Sequence, residues 1–209
     1  MINGMKTETD TDTETQNSDM QNDFKMCPIC GSKKIKNQEN RKWICPDCGF
    51  DLYKNVAAAV GVIIEDSHKN ILFEVRAKEP RNGFLAIPGG FIDFDESAEE
   101  ALCRECVEEL GVKFDQKDFH YICTFPNTYP YKKIEYKTCD IFFKAELPKK
   151  YNSIDDFIKA LKPEQSEVLT LCSKRVATEE DIETLPLAFE SSAKALKKYL
   201  AMQKGEYKR

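Results

Sequence analysis

A chain of 209 residues can enclose one sizeable core and a small appendage. With 41% apolar and 32% charged residues its composition is ordinary for a globular protein, and its formal net charge of −5 argues against bulk electrostatic capture of nucleic acid. No N-terminal apolar stretch marks an export signal, and the longest apolar run, Val56 to Ile64, is too short to span a bilayer. A cytoplasmic protein without a membrane partner is therefore expected, its nine cysteines serving metals or cores rather than disulfides.

Residues 1–25 carry Glu8, Asp10, Asp12, Glu14, Asp19 and Asp23 against Lys6 and Lys25, with almost no aromatics. They offer too little apolar surface to offset the entropy of ordering, so a disordered acidic tail is expected.

Residues 26–53 form a cysteine-punctuated unit. "CPIC" (Cys27, Cys30) and "CPDC" (Cys45, Cys48) are separated by fourteen residues. Two such knuckles supply four thiolates to one tetrahedral ion, Zn²⁺ by preference and iron as the chemical rival. A closed site of this kind has no position for substrate, so its role is structural. Lys33, Lys34, Lys36, Arg41 and Lys42 lie between the knuckles beside Trp43. The pattern is read as a solvated loop with Trp43 packed on the ribbon, in preference to a site for nucleic acid.

Residues 54–209 read as the main domain. "VAAAVGVIIED" and "NILFEVRA" are strands around a turn at Ser67–Asn70, and "GFLAIPGG" is a short strand ending in a Pro-Gly-Gly turn. A helix runs from about Ser97, its N-cap, to Leu110, stopped by Gly111. "HYICTFPN" and "KIEYKTCDIFFKAEL" are strands, "SIDDFIKALK" a short helix capped by Ser153, and "SEVLTLCSKRVA" a further strand. "TEEDIETL" is a helical turn, and "AFESSAKALKKYLAMQK" a closing helix burying Ala188, Ala195, Leu196 and Leu200. Strands and helices mix without regular β-α-β alternation, which points to an α+β fold.

Within the first long helix, "CRECVEELG" places Glu105, Glu108 and Glu109 on one face by their i, i+3 and i+4 spacing. Cys103, Cys106 and Leu110 take another face, with Val107 beside it, where thiols behave as small hydrophobes. Three clustered carboxylates require either raised pKa values or a compensating cation, and hard oxygen ligands select Mg²⁺ or Mn²⁺. A solvated acidic face is the competing reading of the helix taken alone.

The wider segment "GFIDFDESAEEALCRECVEELGV" fits G-x5-E-x7-R-E-U-x-E-E-x-G-U at Gly90, Glu96, Arg104, Glu105, Cys106, Glu108, Glu109, Gly111 and Val112, with Cys106 in place of an aliphatic residue. It resembles the Nudix box of the Nudix hydrolases, and the resemblance covers roughly residues 55–200. It implies an α/β/α sandwich with a mixed sheet, here preceded by a small four-cysteine zinc ribbon. It also implies hydrolysis of a nucleoside diphosphate linked to another moiety.

By the same resemblance, Glu105, Glu108 and Glu109 hold Mg²⁺ or Mn²⁺ with the Gly90 carbonyl, while Arg104 ion-pairs within the box and Glu96 anchors loop to helix. The general base lies in the box or on a distal loop, where Glu164 and Glu167 are the candidates. Gly89 and Gly90 line the substrate's expected place, and Phe84, Tyr129 and Tyr131 are candidates to stack its base.

A four-cysteine ribbon before the box is similar to the NADH pyrophosphatase and ADP-ribose pyrophosphatase branch. That branch carries an S-Q-P-W-P-F-P array where this chain reads "CTFPNTYPYKK", without the Ser-Gln pair or the Trp. Among ADP-ribose, NADH and FAD as the resemblance's substrates, the departure favours ADP-ribose-like ones over NADH, with Pro126 or Pro130 as the family's proline in this window. Two rival functions remain. One is a ligand-sensing nucleic-acid-binding regulator, against which the intact box argues. The other is decapping of NAD-capped RNA, supported locally by the ribbon lysines alone. Dimers are common in this branch, so a homodimer is admitted.

Overall fold

The computed structural model describes residues 24–132, 134–163 and 166–205. The expected acidic tail, apart from Phe24 and Lys25, and the base candidate Glu164 lie outside the described residues, as does the side chain of Tyr131.

The cysteine unit folds as a three-stranded antiparallel sheet, β1 (Lys36–Gln38), β2 (Lys42–Ile44) and β3 (Asp51–Tyr53). Its two knuckles repeat one turn. Cys27 N–H donates to the Ser32 carbonyl and Cys45 N–H to the Phe50 carbonyl, each at 2.8 Å, while Gly31 and Gly49 N–H donate back to Cys27 and Cys45. Trp43 is buried, and the Phe24 ring meets it edge-on with centroids 5.0 Å apart. The packed Trp43 therefore presents no free ring for base stacking.

The larger sheet contains β4 (Ala57–Glu65), β5 (Asn70–Arg76), β6 (Leu85–Ala86), β7 (His120–Tyr131), β8 (Ile134–Glu146) and β9 (Val168–Arg175). Its order is β6-β5-β4-β8-β7, with β9 also paired to β5. β4 and β8 run parallel, in register from Ala57↔Thr138 to Glu65↔Glu146, and the other pairs are antiparallel, so the sheet is mixed.

Side-chain alternation along these strands feeds two cores. Val60, Val62, Ile64 and Leu72 point to one face, where they meet α1 (Ala98–Leu110) and α2 (Ile154–Ala160). Ile63, Ile71 and Phe73 point to the other, against α3 (Glu179–Glu183) and α4 (Glu190–Gln203). The expected Ala188, Ala195, Leu196 and Leu200 are all buried. The result is an α+β sandwich with helices on both sheet faces. No described helix is long and apolar enough to cross a membrane.

One strand is longer than expected: β7 continues past Asn127 through Pro130 to Tyr131. It is the outer strand of its end of the sheet, and an edge strand tolerates residues with no N–H to donate on its free side. The four-residue spacing gives Pro126 and Pro130 the same orientation in the ladder.

Asp66 ties the β4–β5 turn to α2. Its buried carboxylate accepts from His68 N–H (2.8 Å), Asn70 N–H (3.0 Å) and Ile154 N–H (3.1 Å). Burial alone would raise its pKa, but these donors, with the Asn70 side chain foremost, hold it below the usual carboxylate range. Asp66→Ala is expected to cost about 2–3 kcal/mol in urea unfolding at neutral pH, since it leaves buried N–H groups unmatched. Because the folded pKa is depressed, wild type loses this contribution as pH falls through it, so the gap to the variant narrows in acid.

Candidate active site

The site sits where the β4–β5 hairpin splays. The strands pair at Glu65 and Ile71; farther on, β6 takes up Glu74 and Val75. The segment after β6 lies along β4: Val60 N–H donates to the Gly90 carbonyl (2.8 Å), Val62 N–H to Pro88 (2.9 Å) and Ile92 N–H to Ala58 (3.1 Å). Glycine is required at Gly89, in the left-handed region at φ 139°, where a Cβ would strike the Val60 carbonyl; a Cβ on Gly90 would displace the Glu105 carboxylate.

α1 supplies the carboxylates. Ser97 and Glu100 form a reciprocal capping box, and Gly111, at φ 66°, closes the C-terminus through the Cys106 and Val107 carbonyls. Arg104 then gathers the acids. Its Nε and Nη2 donate to the two oxygens of Glu96 at 2.8 and 2.9 Å. Its Nη1 donates to Glu105 (2.7 Å) and Glu108 (3.1 Å), and Nη2 also reaches the Phe91 carbonyl (2.9 Å). This pairing holds Glu96 below the usual carboxylate range and raises the pKa of Arg104.

Glu105 and Glu109 are buried, whereas Glu108 is half-exposed. Gly89 N–H donates to Glu109 Oε2 at 2.7 Å. Across the cleft Glu74, on β5, is 2% exposed; its carboxyl contacts that of Glu109, and its Oε2 has no hydrogen-bond partner. Burial pushes the Glu74 pKa up to about 8 against the opposing charge of Arg76. Burial, then the charges of Glu74 and Glu105, pushes Glu109 well above the carboxylate range. Burial also raises Glu105, against its bond from Arg104.

The helix faces differ from expectation in two respects. Cys106 and Glu109, three residues apart, are both on the buried side rather than on well-separated faces, and Glu109 adds to the burial that raises the Cys106 thiol. Val107, expected beside the core stripe, is 50% exposed. The i, i+3 relation already places Cys106 next to Glu109, so the helical period carried the correction. Cys103 packs against the core, where its thiol donates to the Phe114 carbonyl at 3.3 Å.

A cleft of about 430 Å³ brings together Gly89, Gly90, Arg104, Glu105, Glu108, Glu109, Tyr129 and Glu167. Glu167 accepts from Lys78 Nζ at 2.6 Å on its wall. Phe84 is absent from this lining and instead lies under the Arg81 guanidinium, 5.5 Å from centroid to carbon. Pro126 and Pro130 line a neighbouring cleft.

The cleft also contains residues the sequence reading missed: Glu74, Arg76, Lys78, Phe91 and Phe189. Tyr129 meets Phe91 edge-on (5.3 Å) and Phe189 at a tilt (5.6 Å), and Arg76 donates to its hydroxyl at 3.3 Å. Glu74 had a signal, being the one charge inside the apolar run "ILFEV"; Phe189 had none.

The donor sets fit two kinds of ion. The four cysteine sulfurs lie within 4.8 Å of one another, with Cys27–Cys48 and Cys30–Cys45 each at 3.6 Å. Sulfurs about 2.3 Å from a tetrahedral zinc stand roughly 3.8 Å apart, so the cluster fits a zinc ribbon. Among the described residues no group of three or more carboxylates is equally close, and Arg104 bridges Glu105 and Glu108. The buried acids and the orphaned Glu74 oxygen nevertheless fit a hard cation, which would supply the missing positive charge.

Comparison with known proteins agrees with this geometry. The chain belongs to the Nudix family: the NUDIX domain model matches residues 56–187. Curated relatives include the NAD-capped RNA hydrolase NudC of Deinococcus radiodurans, 29% identical over 120 residues (52% of this chain, 39% of the relative). That of Haemophilus influenzae is 28% identical over 107 residues (51% of this chain, 40% of the relative). The matched stretch thus spans about two-fifths of these relatives' length.

Among solved structures, a NUDIX hydrolase from Nitrosomonas europaea superimposes with a TM-score of 0.58 at 22% identity, covering 87% of this chain and 93% of that one. The NUDIX domain of Shewanella oneidensis NrtR, complexed with ADP ribose, gives 0.55 at 20% identity, covering 76% and 93%. At these identities the likeness is one of fold.

Cys103→Ala and Cys106→Ala are each expected to lower stability by about 1–2 kcal/mol in urea unfolding, as small buried side chains do. Neither should change the protein's response to divalent cations. A response lost in either variant would put a thiol in the cation site.

Proposed function

We propose that this chain is a divalent-cation-dependent pyrophosphohydrolase that cleaves a nucleoside diphosphate linked to a second moiety, ADP-ribose-like or a dinucleotide such as NADH or FAD. The observation that carries the reading is the set of box carboxylates, two of them buried, with Arg104 on Glu105 and Glu108 and the Gly89 N–H on Glu109. In this reading residues 26–53 are a structural zinc ribbon, and residues 54–209 the hydrolase domain.

Glu105, Glu108 and Glu109, with the Gly90 carbonyl, would hold Mg²⁺ or Mn²⁺. The bound cation would neutralise phosphate charge and acidify a coordinated water. Arg104, anchored by Glu96, sets the spacing of the carboxylates. Glu167 would take the water's proton, and its place on the cleft wall supports that role. Gly89 lets the phosphates approach the backbone closely. Tyr129, with Phe91 and Phe189 around it, offers a face for the base, and Arg76 beside it supplies a cation for phosphate. Phe84 has no place in this reading, because it lies outside the cleft lining.

A second substrate reading has its own support. Relatives of this chain are named NAD-capped RNA hydrolases, and an NAD cap shares the ADP-linked pyrophosphate. The ribbon's Lys33, Lys34 and Lys36 would then meet RNA phosphates.

A product-resolved assay across ADP-ribose, NADH, FAD, NAD-capped RNA and nucleoside triphosphates decides between them. ADP-ribose is expected to give AMP and ribose 5-phosphate only with Mg²⁺ or Mn²⁺ present. Glu108→Gln and Glu109→Gln should each reduce kcat by at least about 100-fold with far-UV circular dichroism unchanged. Unaltered turnover in both variants would end the assignment.

A further inference from the structure

Glu74 is a carboxylate in a strand that otherwise packs apolar side chains. Its neighbours Leu72 and Phe73 belong to opposite cores, and strand alternation turns Glu74 to the face of Leu72, toward α1. There it is sealed from water, in contact with Glu109 and charged against Glu105 and Glu167 as well. Its Oε2 has no hydrogen-bond partner. The cation on its own strand, Arg76, directs its hydrogen bonds elsewhere, to the Pro80 carbonyl (3.0 Å) and the Tyr129 hydroxyl (3.3 Å).

A buried carboxylate that only filled space would be replaced at no cost by a glutamine or an apolar residue. A divalent ion held by Glu105 and Glu109 would give the buried, unpartnered Glu74 Oε2 a positive charge to face. Glu74 differs from the box acids in origin as well: it comes from the opposite wall of the splayed hairpin and outside the motif. It therefore closes the cation site from the sheet side.

We propose that Glu74 is a further carboxylate of the divalent-cation site, a positioning residue that fixes Glu109 from the β5 side and adds negative charge behind it. The proposal rests on the cation site described under the proposed function. It predicts that the site's affinity for cation depends on a residue the Nudix box does not contain.

The test is Mn²⁺ binding to the full chain with its ribbon zinc in place, followed by calorimetry and by the electron paramagnetic resonance of free Mn²⁺, without substrate. Wild type, Glu74→Gln, Glu74→Asp and Glu109→Gln are compared. Glu74→Gln is expected to bind Mn²⁺ at least about 10-fold more weakly, the usual loss when a group orienting a metal ligand is removed. Its metal-free melting temperature should not fall, because glutamine keeps the size of the side chain and can still hydrogen-bond to Glu109.

Glu74→Asp keeps the charge but retracts it from Glu109. It should bind between wild type and Glu74→Gln, and it decides the matter if Glu74→Gln does not fold. Mn²⁺ affinity equal to wild type in the folded variants would overturn the role of Glu74. Loss of Mn²⁺ in Glu109→Gln alone would leave the cation site standing without it. A wild type that binds no Mn²⁺ would bring down the cation site and this proposal together.

Discussion

The structure is organised around buried negative charge. Glu74, Glu105 and Glu109 lie out of water at one end of a cleft, where burial foremost raises the pKa of each and neighbouring carboxylates add to it. Desolvated acids are tolerated only when something answers their charge. The protein supplies part of that answer: the Arg104 guanidinium on Glu105, and the Gly89 N–H on Glu109. Glu74 Oε2 is left unanswered. A divalent cation, as proposed above, would answer it, and phosphoryl chemistry calls for such an ion.

The surrounding fold makes that crowding possible. The β4–β5 hairpin opens so that a glycine turn can lie between strand and helix. α1 is capped at both ends, which holds its register against β4, and its core residues Leu102, Cys106 and Leu110 clamp it to the sheet. The carboxylates are thereby fixed to within one helical turn. Arg104 reaches back to Glu96 and the Phe91 carbonyl, so the loop before the helix is tied to the helix itself. The cysteine ribbon follows a different logic. It has little core of its own, and four convergent sulfurs take the place of one.

Much of this was legible in the sequence because spacing carries geometry. The helix ends were readable from Ser97, Glu100 and Gly111, and the cysteine cluster from two C-x-x-C pairs. The box was readable through its resemblance to the Nudix motif, since the helical intervals alone left a solvated acidic face as the competing reading. What escaped depended on register between distant segments. Glu74 is one acid in a strand until β5 is seen facing α1, and Phe189 reaches Tyr129 only through the packing of α4 beside β7. Phe84 misled because closeness in sequence to the glycine turn did not make it part of the cleft. The length of β7 was hidden by its prolines, which an edge strand accepts. Cys106 beside Glu109 was available from the helical period alone.

The central claim is that these carboxylates form a cation site, distinct from the sulfur site. A crystal of the zinc-loaded protein equilibrated with Mn²⁺, with anomalous scattering recorded for each metal, tests it most directly. The account predicts manganese among Glu105, Glu108, Glu109 and the Gly90 carbonyl, zinc among Cys27, Cys30, Cys45 and Cys48, and Arg104 drawn off at least one box carboxylate. Manganese confined to the sulfurs, or none in the cleft while Arg104 still bridges Glu105 and Glu108, would contradict it.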